Sequence, residues 1–199
     1  MHPTVRPTKW AVTTATACAV ALAPGTVPAA SASPTPARAA ATASTPTCAT
    51  SGLVVWLDTQ GNGAAGHTYF DLELTNLSGH RCTLFGYPGV SAVDIHGHQL
   101  GRAASRNPAH TPNVVTLPNT STATVVLSIT DVTVYGSSTC GYVTAAGLRA
   151  YPPGQTASKV VPFPFTACKR NGPVYLSAEA VQTGAEAVQT GTVQDGVMP

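Results

Sequence analysis

Four cysteines, Cys48, Cys82, Cys140 and Cys168, follow a segment built like an export leader, and this pairing constrains the chain more than any other feature. The start, MHPTVRPTK, is basic; the run WAVTTATACAVALA is apolar; Ala30-Ser31-Ala32 then supplies an A-x-A site. That order predicts a secretory signal peptide over residues 1–32, cleaved after Ala32. The run is shorter than the roughly 20 apolar residues that span a bilayer. A fifth cysteine, Cys18, lies inside it. A lipid anchor through Cys18 is the weaker reading, because Ala15 stands where such sites usually carry Leu and most of the run follows the cysteine. No later segment reads as an anchor, so the expected product is secreted, with no membrane insertion after the leader is removed.

Past an oxidising export step, four cysteines read as two disulfides, and the sequence allows three pairings. Strand order chooses among them. Residues 33–47, SPTPARAAATASTPT, bury little apolar surface and read as a linker. From Cys48 the pattern becomes β. LVVWLD (53–58) is apolar and β-branched, and HTYFDLELTN (67–76) alternates with Phe70, Leu72 and Leu74 on one face and Tyr69, Asp71, Glu73 and Thr75 on the other. STATVVLSITD (121–131) repeats the period of two with Ala123, Val125, Leu127 and Ile129 inward. Shorter strands are expected at 90–95, 113–117, 142–151, 158–163 and 173–181. No amphipathic helix interrupts them. Short strands punctuated by Gly and Pro predict an all-β fold, an immunoglobulin-like antiparallel β-sandwich over 48–182 stapled by two disulfides.

If 53–58 and 67–76 pair antiparallel, Cys48 and Cys82 meet at one end of that hairpin. Cys140 and Cys168 flank 142–151 and 158–166 in the same way. The expected bonds are therefore Cys48–Cys82 and Cys140–Cys168. A zinc site is a poor alternative, since no C-x-x-C pair occurs. After Cys82, Tyr87-Pro88-Gly89-Val90 reads as a type II turn, with Pro presetting φ and Gly89 taking the positive φ at the third position. The tail carries AEAVQTG twice, at 178–184 and 185–191. Two copies are too few for a coiled coil and each ends in Gly. The first copy is expected to complete the last strand, and 183–199 to trail as a flexible tail.

The order GAAGHTYFDLELTN, CTLFGYPGVSAVD and Gly97, followed by VTLPNTSTATVVL, GLRAYPP after Cys140, and Cys168, resembles a domain of unknown function (number four-two-three-two) common in exported actinobacterial proteins. The resemblance covers about residues 48–182. It implies an exported, cysteine-stapled β domain and attaches no activity; the duplicated tail lies outside what it leads one to expect.

Charge narrows the partners. Only 9% of residues are charged, against about 25% in an average globular chain. Outside the leader, eight Lys and Arg balance eight Asp and Glu. Such a chain has no electrostatic footprint for nucleic acid or an anionic membrane. His96-Gly97-His98 has H-x-H spacing that suits copper or zinc on a strand, but it lies where a polar hairpin tip is expected and lacks a third ligand. Asp94 with His96 would make a dyad, and Asp71 with Glu73 a carboxylate pair; both are more simply solvent-facing. G-x-S-x-G and H-E-x-x-H are absent. No cofactor and no catalytic activity are expected. Asn76-Leu77-Ser78 and Asn119-Thr120-Ser121 match the glycosylation triplet. The candidate binding loop is RAASRNPAHTP (102–112), with Arg102, Arg106 and His110, because loops on a rigid sandwich usually carry binding. The expected function is a non-enzymatic interaction module for an extracellular protein or glycan. The alternative is a secreted protease inhibitor that presents the 102–112 loop.

Overall fold

The computed structural model describes residues 44–184. The leader, Cys18, most of the linker and the second heptapeptide lie outside the described residues. Strand β1 (Leu53–Ala64) turns back into β2 (His67–Asn76), with Leu53 opposite Asn76 and Ala64 opposite His67. Short strands β3 (Cys82–Phe85), β4 (Gly89–Val93), β5 (Gln99–Leu100), β6 (Ser105–Arg106) and β7 (Val114–Leu117) follow. Then come β8 (Thr122–Thr130), the single-turn helix α1 (Ser137–Cys140), β9 (Tyr142–Tyr151), β10 (Lys159–Cys168), β11 (Leu176–Ala178) and β12 (Gln182–Thr183).

One sheet runs β1-β2-β8-β11-β6, with β12 also on β8; the second runs β10-β9-β4-β5; β3 and β7 form a separate pair. The chain passes from the first sheet to the second between β2 and β4, and again between β8 and β9. Those are the Greek-key crossings of an immunoglobulin-type sandwich. The place beside β8 is filled by β11, from late in the sequence, antiparallel to β8 and parallel to β6. The expected all-β sandwich is therefore the observed one. Among the described residues no helix is long and apolar enough to cross a membrane.

Alternation positions the core. Leu72 and Leu74 of β2 and Val125 and Leu127 of β8 turn inward against Ala92, Ala145 and Leu148 of the second sheet, and all are buried. Phe70, one turn of the pleat earlier, is only half-buried and meets Phe163 edge-on at the sandwich end. Both expected disulfides are formed, Cys48–Cys82 and Cys140–Cys168. Pro46 and Thr47 already belong to the fold: the Pro46 carbonyl accepts the Thr83 amide, and Thr47 bridges Thr83.

The corner after Cys82 differs from expectation. Cys82 opens a strand of its own, β3, whose ladder pairs it with Leu117. The positive φ falls on Gly86, at +96°, and not on Gly89, which begins β4 opposite Tyr151. The left-handed bend at Gly86 redirects the chain, and Tyr87-Pro88 carries it across without a type II turn.

Candidate interaction face

The period of two that buries Leu72 and Leu74 presents the alternate residues of β2 on the outer face of the first sheet. Two cross-strand rows organise that face. In one, Trp56 of β1, Glu73 of β2, Thr124 of β8 and Gln182 of β12 are successive partners. In the next, Asp58 faces Asp71, and Asp71 faces Val126. The Glu179 amide donates to the Val126 carbonyl at 3.0 Å, which brings the Glu179 carboxylate beside that row.

Four of the six carboxylates in the described residues, Asp58, Asp71, Glu73 and Glu179, thus share one face. None is within ion-pair distance of a Lys or Arg; the ion pairs among the described residues both involve histidine. Burial raises the Asp71 carboxyl above its ordinary value, and the charges of Asp58 and Glu179 raise it further. Burial raises Glu73 as well; the Thr124 hydroxyl, donating to Glu73 Oε2 at 2.8 Å, opposes the shift, and Asp71 and Asp58 add to it. Beside them the Trp56 indole, 44% exposed, is fixed by its N–H donating to Thr75 Oγ1, and Val54 is similarly open. The face is thus negative, partly desolvated and edged by an aromatic ring. Two concavities among the described residues, about 270 and 310 Å³, are lined by other residues, Phe70, Phe163 and Phe165 in one and Asn76, Ser78 and His80 in the other.

The three residues singled out in 102–112 do not converge. Arg102 is exposed. Arg106 lies in β6, with its guanidinium 5.5 Å from the centre of the Tyr87 ring. His110 joins the acidic face: its Nδ1 is 2.7 Å from Glu179 Oε2, while Asn107 Nδ2 donates to Glu179 Oε1 at 3.1 Å. The segment is also held by its backbone, since the Asn107 amide donates to the Ala178 carbonyl. It is a docked edge rather than a free loop.

Residues 94–98 form a turn between β4 and β5, not a strand. Asp94 Oδ1 accepts the His96 and His98 amides, and its Oδ2 lies 3.1 Å from His98 Nδ1, so Asp94 is paired with His98 and not with the His96 ring. Those amide donors hold its carboxyl below its ordinary value. The His96 and His98 rings are 6.0 Å apart, and among the described residues no group of three or more His, Cys, Asp or Glu is arranged to hold a metal. Asn76 of the first glycosylation triplet is fully buried, with its Nδ2 donating to the carbonyls of His80, Leu117 and Pro118.

The residues that sequence reasoning missed are Asp58, Trp56 and Glu179. The first two carry a readable signal, the outward parity of β1 set against β2. Glu179 does not, because an irregularity in the ladder separates it from its neighbours.

The fold and its two cysteine pairs define a disulfide-stapled all-β sandwich. The chain belongs to the family described as a domain of unknown function (DUF4232), which matches residues 48–194 and so continues through both heptapeptide copies. No curated protein and no solved structure matched the chain.

Proposed function

We propose that this chain is an exported, non-enzymatic interaction module that binds a protein presenting Lys and Arg side chains on the outer face of its first sheet. The observation that carries this reading is the convergence of Asp58, Asp71, Glu73 and Glu179 without a neighbouring Lys or Arg. Asp71 and Glu73, whose carboxyls are raised by burial and by neighbouring charge, gain by meeting a cation, and Trp56 offers a face on which a guanidinium stacks. Export is supported by the leader-like start and by two disulfides, which persist in oxidising compartments.

The test immobilises the oxidised chain and offers it culture-supernatant and envelope fractions from the source cells, beside a D71N/E73Q variant and a D131N control. A basic protein held by the wild type and by D131N, and lost from D71N/E73Q, supports the reading. A partner held equally by all three overturns it. A glycan released by Trp56→Ala alone would move the specificity to the aromatic edge. A protease whose capture depends on Arg102 would establish the inhibitor reading.

A further inference from the structure

Residues 178–184 and 185–191 are the same heptapeptide. The first copy is the closing segment of the larger sheet. Ala178 pairs with Leu127, Gln182 with Thr124 and Thr183 with Ala123. The Val181 amide donates to the Gly86 carbonyl, and Ala180 and Val181 are buried. Because the repeat is identical, the second copy carries the same side chains in the same order.

The ladder also offers a place for a slip. From Ala178 to Gln182 the closing segment advances four positions while β8 advances three, from Leu127 to Thr124, so one extra residue already bulges between β11 and β12. We propose that the closing segment occupies its slot in two registers seven residues apart. In the second register, residues 181–187 leave the sheet as a loop at the bulge, and Val188, Gln189 and Thr190 take the places of Val181, Gln182 and Thr183. Residues through Ala180 keep their positions, including the buried Tyr175 and Leu176. The two states make the same slot contacts. They differ by the closure of a seven-residue loop, which favours the first register on the order of 10- to 100-fold.

Urea unfolding of the full oxidised chain tests this with Val181→Asp, Val188→Asp and the double variant. A buried, unpaired aspartate at position 181 lowers the folding constant by ~1,000-fold or more when nothing replaces it. With Val188 present, V181D is expected to lose only on the order of 10- to 100-fold, the loop-closure difference. V188D alone is expected to match the wild type, and V181D/V188D to show the full loss. Equal losses in V181D and the double variant overturn the proposal. A second measurement does not depend on whether the double variant folds: oxidative trapping of T124C/Q189C, with T124C/Q194C as the control. An intramolecular 124–189 crosslink that clearly exceeds the 124–194 crosslink supports the second register. Equal crosslinking of both pairs, or crosslinks only between molecules, overturns it.

Discussion

Asp58 and Asp71 stand directly opposite each other across the β1–β2 ladder, on the face where Glu73 and Glu179 also lie. Like charges in that position repel, and burial of Asp71 adds to the cost of ionising it. The fold therefore carries a local penalty at the same surface that is proposed to bind.

That penalty has a defined pH dependence. The folded-state carboxyls of Asp71 and Glu73 lie above their ordinary values of 3.8 and 4.5. At pH below those values both groups are neutral in the folded and unfolded chain, and no penalty exists. As pH rises, the unfolded chain ionises first, so stability falls until the folded groups have ionised too. Asp71→Asn should therefore stabilise the protein at pH 7 by about 0.5 kcal/mol, the scale of a cross-strand like-charge pair, and should change nothing at pH 3. Urea midpoints at the two pH values check this. An equal gain at both would mean that packing, not charge, is responsible.

Much of the architecture was readable because it rests on strict alternation. The β2 and β9 segments coincide with their expected strands, and inward parity placed Leu72, Leu74, Val125 and Leu127 correctly. The disulfide pairing followed from the same hairpins. What escaped were elements too short to show a period, β3 and β6, each held by a partner far away in sequence. The 102–112 segment looked free for that reason, since nothing in its residues announces the parallel pairing of Ser105 and Arg106 with Ser177 and Ala178. The acidic face escaped differently. Asp71 and Glu73 were legible as an outward pair, but their convergence with Asp58 and Glu179 depends on which strands lie side by side.

Asn76 is a fully buried polar residue at an inward position of β2, and its burial is explained by its bonds. Nδ2 donates to three carbonyls, while Oδ1 accepts the amide and the hydroxyl of Ser78. Asn76→Ala should cost about 2–4 kcal/mol, because it strands several buried groups at once. Asn76→Asp should destabilise at pH 7 as well, since an acceptor would then face three acceptors. Thermal unfolding of the two variants checks this, and a loss below the scatter of ordinary surface substitutions would remove Asn76 from its role as the hub of that corner.

The two disulfides close segments with sequence separations of 34 and 28. Restricting the unfolded chain in this way contributes about 3.5–4 kcal/mol for each bond in the loop-entropy picture. The double substitution C48S/C82S should lower stability by up to that amount while leaving Cys140–Cys168 intact. C140S/C168S should cost a similar amount. Denaturant unfolding under non-reducing conditions measures both. If either pair of substitutions changes the midpoint by less than about 1 kcal/mol, the loop-entropy account fails for that bond.

Tyr175 anchors the start of the closing segment from inside the core, its hydroxyl donating to the Leu100 carbonyl at 3.0 Å. Burial pushes its phenol up to about 12 from an ordinary 10.0. The neutral form is the one the fold holds, so its contribution is fully present below pH 10.0 and is lost as pH rises toward 12, where the folded group ionises. The difference in phenolate absorbance between wild type and Tyr175→Phe should therefore show a transition near pH 12 in the folded chain, and near 10.0 once urea has unfolded it. Removing the hydroxyl should itself cost about 1 kcal/mol at pH 7, since the Leu100 carbonyl loses its side-chain donor. A transition near 10.0 in the folded protein would show that water reaches the ring, and would place Tyr175 at a surface rather than under the sheet it is built to close.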